Sequence, residues 1–357
     1  MMKELSEPLP IYSVRMMRNI PIKNIYYIVL YAWDRVKHQA NFADRGIEKI
    51  DSINDVLLDI FLHEVEQLTK KGLRSEYVTD IHHSRFIKGK IHINETIRQT
   101  NQMIVCEYDE FELDHPLNQI LKAFLQKLYY IDTLEKKRIR RLLLHFESVT
   151  SVDVTPALFK GIHYTRLTAE YRFPIEVGKL LYEHAIPSEK GSELTFHEIM
   201  ENEEVMSDLF ERFIFNYYRI HFPYVVQRRQ HRWDLMPLGE SNFDLIPTMN
   251  TDVEIQTPTM QFIIDAKFYQ SAFTRYFDKE RFRSSHMYQM TSYMQKRTST
   301  EKQTKGILMY PSNGYEFYEQ YRTGDGNILS FKTVNLAKDW KYIEADLADI
   351  FVEHNQN

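Results

Sequence analysis

The residues whose types and spacing could do chemistry lie between Thr251 and Tyr293. The stretch opens Thr251-Asp252-Val253-Glu254-Ile255, and an apolar run, Phe262-Ile263-Ile264, then leads into Asp265-Ala266-Lys267. Side chains alternate along a strand, so Asp265 and Lys267 point the same way. A turn at Thr257-Pro258-Thr259 would pair the two segments and bring Asp252 to the same sheet edge. Two carboxylates beside an ammonium suit two tasks, holding a divalent cation and activating a water. Phosphodiester hydrolysis needs both, because the scissile phosphate is anionic and water is a poor nucleophile near neutral pH. Magnesium is a hard cation that keeps several waters, so one or two protein carboxylates suffice. Asp252 and Asp265 are therefore the candidate ligands for Mg2+. Lys267 is the group that would orient the attacking water or stabilise developing negative charge.

An Asp-x-Lys on a strand is weak evidence alone, since most such pairs are solvated edge residues. Here Asp252 precedes Asp265 with twelve residues between, and Gln289 and Tyr293 follow on one face of an expected helix, four apart. The set resembles the PD-(D/E)xK nucleases, down to the Gln-x-x-x-Tyr signature of one branch of them. That resemblance implies the backbone carbonyl of Ala266 as a third metal ligand. It also puts Gln289 within reach of the site, while Tyr293 reads equally well as core support. An acidic residue on a preceding helix often completes such sites. Glu211 is the candidate, with Glu204 behind it.

The elements that must position these groups follow from periodicity. The pattern predicts a helix over 203–220, strands near 223–231, 251–256 and 261–268, a helix over 279–297 and a strand over 305–310. This α-β-β-β-α-β order is that of the PD-(D/E)xK core. A strand near 328–334 and an amphipathic end helix over 340–351 close the chain. Upstream, Ile20 to Trp33 is apolar nearly all round and reads as a buried helix from about Asn24. Ile53, Val56, Leu57, Ile60, Phe61, Val65 and Leu68 form one buried helix face, with Gly72 as C-cap. Residues 76–113 have strand texture, in segments near 76–82, 85–93 and 103–113. Residues 117–131 return to helix, with Pro116 in its first turn and Asp114 as its cap. A helix is expected over 174–185, before a polar turn at 187–192. The helical pattern lapses over 150–163, and the domain boundary is placed there. The expected fold class is α+β: a leader (1–19), a mixed helix/strand domain (20–160) and a C-terminal α/β nuclease core (161–357).

Composition narrows the function classes. A formal net charge of −5 describes no evidently basic nucleic-acid binder. The basic run Lys136-Lys137-Arg138-Ile139-Arg140-Arg141 reads as a solvated helix face, or as a contact to DNA phosphates or an acidic partner. The lone Cys106 excludes a disulfide framework and a Cys-rich zinc site and fits a reducing cytoplasm. His63-Glu64 lacks the second histidine of a zinc protease, and His82-His83 would point to opposite faces of a strand. There is no membrane-length apolar run. Neither Gly-x-x-x-x-Gly-Lys-Ser/Thr nor Gly-x-Gly-x-x-Gly occurs, so any translocating motor must be another chain.

Taken whole, the sequence resembles the McrC family, the nuclease subunit of the McrBC modification-dependent restriction system. The likeness is carried by Pro21-Ile22-Lys23-Asn24-Ile25-Tyr26-Tyr27 with Tyr31-Ala32-Trp33, by Ile87-Lys88-Gly89-Lys90-Ile91, and by Leu117-Asn118-Gln119-Ile120-Leu121-Lys122. Pro247 to Asp252, Ile264 to Tyr269, Tyr288 to Tyr293 and Tyr310-Pro311 add the C-terminal half. The resemblance implies an endonuclease subunit partnered by McrB, a ring-forming AAA+ GTPase that binds the GTP and reads methylated cytosine in double-stranded DNA. It implies that the N-terminal part enters the ring and stimulates GTP hydrolysis, while the C-terminal part cuts. Asp252, Asp265 and Lys267 match the family's catalytic positions, and Glu211 matches one that varies between acid and amide. The rival functions are a non-catalytic activator of an NTPase ring and a stand-alone structure-specific nuclease.

Overall fold

The computed structural model describes residues 20–36, 52–87, 89–98, 103–131, 133–155, 158–159, 162–187, 194–196, 202–236, 238, 240, 242–268, 273–276, 279–296, 302–312 and 315–352. The expected leader and most of the expected turn at 187–192 lie outside the described residues. The chain forms two compact units, one of residues 1–53 with 198–357 and the other of residues 54–197. The boundary expected near 160 therefore falls inside the second unit. The first helix, α1 (Ile22–Ala32), belongs with the C-terminal half.

The second unit begins with α2 (Ile53–Lys71), which ends at Gly72 with φ +96°, a conformation glycine adopts freely. β1 (Glu76–Ser84), β2 (Lys90–Ile91) and β3 (Ile104–Glu112) form an antiparallel sheet in the order β1-β3-β2. The strand expected over 85–93 is only the two residues of β2, because α3 (Ile93–Ile97) follows at once. α4 (Pro116–Leu128) is capped by the His115 ring, which accepts from the Leu117 amide at 3.1 Å. Asp114, the cap expected, instead accepts from the amide and hydroxyl of Thr150. α5 (Lys136–Leu144) carries the basic run, and Arg138 pairs with Asp59 at 2.6 Å and Glu66 at 2.5 Å on α2. α6 (Arg172–His184) and the short pair β4 (Ala185–Pro187) and β5 (Leu194–Phe196) complete this unit.

In the first unit, α7 (Glu203–His221) precedes a six-stranded mixed sheet. Its strands are β6 (Val225–His231), β7 (Met249–Gln256), β8 (Met260–Ala266), β11 (Gln303–Pro311), β12 (Tyr318–Arg322) and β13 (Ile328–Val334). Between β8 and β11 lie a hairpin, β9 (Phe273–Tyr276) with β10 (Lys279–Phe282), and the helix α8 (Ser284–Gln295). The spatial order is β12-β13-β11-β8-β7-β6, with β11 parallel to both β8 and β13. The fold is thus mixed α and β, and the expected helix, three strands, helix, strand order is interrupted by one hairpin. Residues 279–282, expected as helix, are strand β10. Phe273 and Phe282 stack across that hairpin, ring centroids 4.9 Å apart, and Phe282 stacks on Phe331 at 3.8 Å. α9 (Trp340–Ala348) and a following 3-10 turn, Asp349–Phe351, end the described fold.

β8 and β11 are buried along nearly their whole length, as central strands covered on both faces must be. On one face Ile263, Leu308 and Phe331 pack against Met290, Tyr293 and Met294 of α8. On the other, Phe268 meets Phe210 of α7 and Phe262 meets Phe351. α1 is held against α7 by the buried Asn216, whose amide donates to the Tyr31 and Ala32 carbonyls. Tyr31 also stacks on Trp340, centroids 5.5 Å apart. A helix apolar nearly all round needs covering on every side, which is why α1 sits here.

Gly306 of β11 lets α8 approach the sheet, since a Cβ there would lie 2.5 Å from the Met294 sulfur and 2.8 Å from that of Met290. Gly306→Val is expected to cost about 1–3 kcal/mol by overpacking, read as a lowered midpoint in thermal or urea unfolding. An unchanged midpoint would show that the methionines absorb the added volume.

Candidate active site

The β7–β8 hairpin builds the site. Its turn is closed by the Thr257 amide donating to the Met260 carbonyl at 3.0 Å, with the Thr257 hydroxyl on the same carbonyl. Val253 pairs with Ile264, so Asp252 and Asp265 are the next neighbours along the ladder. Beyond β8 the Lys267 amide donates to the Met309 carbonyl at 2.8 Å, extending the parallel ladder with β11. Alternation then sends Lys267 to the same side as Asp265, its ammonium 2.9 Å from Asp265 Oδ2. The Ala266 amide, between them, donates to Asp252 Oδ2 at 2.9 Å.

A bulge shapes this corner. Gln227 of β6 pairs with Glu254 and Arg229 with Thr251, so Asp252 and Val253 together oppose the single residue Arg228. Such irregularities re-aim side chains and are frequent beside functional sites.

The electrostatics are those of crowded buried acids. Asp265 is 1% exposed, and neither carboxylate oxygen receives a well-aligned hydrogen bond. Burial raises its pKa, with Lys267 opposing. Asp252 is pushed up to about 8 by burial first and then by Asp265 and Glu211, against the pull of the Ala266 amide and Lys267. Burial draws the Lys267 ammonium down, but Asp265 and Asp252 outweigh it and hold lysine above its ordinary value. Glu211, half-buried on α7, is raised by burial, with Lys267 and Arg228 opposing. Its Oε1 is 3.4 Å from the Ser207 hydroxyl.

Asp252, Ala266, Asp265 and Lys267 are therefore brought together, and Glu211 stands within their electrostatic range. Glu204 is exposed in the first turn of α7, apart from them. Gln289 bonds to neither carboxylate. Its amide donates to the Tyr293 hydroxyl at 2.7 Å, and that hydroxyl donates to the Asn250 carbonyl at 2.7 Å. The Gln/Tyr pair thus ties α8 to β7, two residues before Asp252. Among the described residues, no set of three His, Cys, Asp or Glu side chains is arranged to hold a metal, so any cation here would rest on two carboxylates and backbone or water oxygens.

Two features escaped the sequence. His286, 6% exposed, meets the Tyr310 hydroxyl at 3.0 Å, and burial, then Lys267 and Arg283, lower its pKa to about 4. Glu254, fully buried, is held by His231 at 2.6 Å and Arg229 at 3.5 Å. The spacing of Glu254 from Asp252 could have flagged it, but nothing in the sequence points to His231 as its partner.

A family model described as "McrBC 5-methylcytosine restriction system component" matches residues 22–311. The Escherichia coli (strain K12) protein "Type IV methyl-directed restriction enzyme EcoKMcrBC" is 29% identical over 347 residues, spanning 94% of this chain and 98% of its own length. Among solved structures, a half-complex from a tetradecameric assembly of Thermococcus gammatolerans McrB AAA+ hexamers with bound McrC contains a similar chain. The TM-score is 0.55 at 18% identity, over 96% of this chain and 76% of that one, which is a likeness of fold alone.

The raised Asp252 pKa sets a pH dependence. Between the unfolded value of 3.8 and the folded value of about 8, the unfolded chain ionises while the folded one resists. The folded state then binds more protons, so stability is lost as pH rises through that window and levels off above it. Asp252→Asn cannot ionise and keeps an acceptor for the Ala266 amide. In chelator, the melting temperature of Asp252→Asn minus that of wild type is expected to grow from pH 4 to pH 8. A difference constant across that range would contradict the assignment.

Proposed function

The chain belongs to the family of McrBC 5-methylcytosine restriction system components, and from that premise we propose that it is the endonuclease subunit of a modification-dependent restriction complex. It cuts double-stranded DNA carrying modified cytosine through a PD-(D/E)xK site, working with a ring-forming AAA+ GTPase. The observation that carries this reading is the meeting of Asp252, Asp265 and Lys267 at one corner of the sheet, with Asp265 buried and its Oδ2 2.9 Å from the Lys267 ammonium.

Two buried carboxylates side by side suit a hard cation, and Mg2+ with its retained waters asks for no third acidic side chain. Asp252, Asp265 and the Ala266 carbonyl would hold it. Bound there, the ion supplies charge neutralisation at the scissile phosphate and lowers the pKa of a water. Asp252 gives up the proton it holds in the free protein. Lys267, kept protonated by Asp265 and Asp252, acts as a pre-placed positive charge rather than as a base. Glu211 adjusts the charge of the cluster from α7, and Gln289 acts through Tyr293 by positioning β7. GTP is assigned to the partner, since this sequence has no phosphate-binding loop of the kind that holds it.

Ring contact is assigned to the 54–197 unit, where Phe86 (79% exposed), Ile87 (65%), Ile93 (64%) and Ile97 (76%) leave large apolar side chains uncovered around β2 and α3. Isolated exposed apolar residues are ordinary, but neighbours of this size in one stretch suit a protein partner.

With partner ring, GTP, Mg2+ and methylcytosine DNA, Asp252→Ala and Lys267→Ala are each expected to lower cleavage by at least about 100-fold, with GTPase stimulation retained. Chelation of Mg2+ should abolish cutting. Wild-type cleavage by Lys267→Ala would overturn the site. GTPase stimulation without any cleavage by the wild-type chain would identify a non-catalytic activator, and cleavage without the ring a stand-alone nuclease.

A Phe86→Asp/Ile97→Asp double variant should lose GTPase stimulation while its melting temperature holds. Full stimulation by that variant would move the contact elsewhere.

A further inference from the structure

Arg228 stands opposite Asp252 across the β6–β7 bulge, and its situation differs from that of its neighbour. Arg229 is engaged, with Nε 3.5 Å from the buried Glu254 carboxylate and its guanidinium donating to the Gln227 side-chain oxygen. Arg228 makes no ion pair or hydrogen bond among the described residues. It is exposed, and its guanidinium carbon lies 5.0 Å from the Phe215 ring centroid. Phe215 is four residues from Glu211 on α7, hence on the same helix face, so the ring holds the guanidinium toward the side of the acidic cluster. The influence of Arg228 on the Glu211 carboxyl agrees with that placement.

An oriented guanidinium without a carboxylate partner, at the rim of a site for phosphate esters, has the donors to fork onto two phosphate oxygens. β6 is two strand spacings from β8, roughly 10 Å. We propose that Arg228 grips a non-scissile backbone phosphate of the bound DNA and so sets the duplex against the carboxylate pair. This rests on the nuclease assignment above.

The test is duplex binding by the complete partner complex, with Ca2+ replacing Mg2+ to suppress hydrolysis. The probe is a fluorescein-labelled methylcytosine duplex followed by anisotropy across a salt series. Arg228→Ala is expected to bind about three- to tenfold more weakly and to flatten the log–log salt slope by about one. Arg228→Lys, which keeps the charge, should keep the slope. GTPase stimulation and melting temperature should match wild type in both variants. Unchanged affinity and slope in Arg228→Ala would overturn the proposal. So would an equal loss in both variants with a lowered melting temperature, because Arg228 would then serve only to cover Phe215. Binding is read without hydrolysis, so failure of the nuclease assignment shows separately, as cleavage by Lys267→Ala.

Discussion

Two carboxylates that repel each other, Asp252 and Asp265, are folded into one buried corner, and much of the surrounding structure exists to keep them there. Burial raises both pKa values, and at Asp252 the neighbouring Asp265 and Glu211 charges add to it. What opposes the repulsion is local and directional: the Ala266 amide on Asp252, the Lys267 ammonium on Asp265, and the hairpin ladder that fixes both strands. None of these gives Asp265 a well-aligned hydrogen bond, so the corner keeps unfilled acceptor capacity. Protons or a cation relieve it, and the two compete for the same oxygens.

Holding such a corner rigid demands a scaffold that cannot shift. β8 and β11 are buried on both faces, so neither can slide without exposing a full row of apolar side chains. Tyr293 reaches from α8 to the Asn250 carbonyl and fixes β7 just ahead of Asp252. On the opposite face, Asn216 and Asn24 satisfy carbonyls at the end of α1 and beside Leu336 that burial would otherwise strand. The N-terminal helix is thereby built into the unit that carries the acids, although more than 150 residues separate it from α7 in sequence.

That long-range closure explains which parts were legible in sequence. Asp265 and Lys267 were, because strand alternation is a local rule and an apolar run marks the strand. Asp252 was, because a short turn sets hairpin distance. The covering of α1 was not, since a helix apolar on all sides says that it is buried but not by what. Arg138 read as part of a solvated or phosphate-binding run, yet it is tied to Asp59 and Glu66 on a helix about seventy residues earlier. The β9–β10 hairpin was missed because its cue is the stacking of Phe273, Phe282 and Phe331, which needs the third dimension. The bulge at Asp252 follows from a register shift with β6, and single-strand periodicity carries no trace of register.

The same distinction between engaged and free cations bears on how DNA is held. Several cations are committed internally: Arg138 to α2, Arg219 to Asp34, Arg229 to Glu254, Lys332 to Asp349 and Lys338 to Glu316. A chain of net charge −5 is poorly suited to grip a polyanion over many phosphates. Under the proposed function, affinity for DNA must then come mainly from the partner, and this chain adds only the few contacts that aim a phosphate at the acids. A nuclease that binds its substrate weakly on its own is restrained from cutting until a partner delivers DNA. In that light, reliance on a partner for DNA affinity is a means of control rather than a defect in a DNA-binding site.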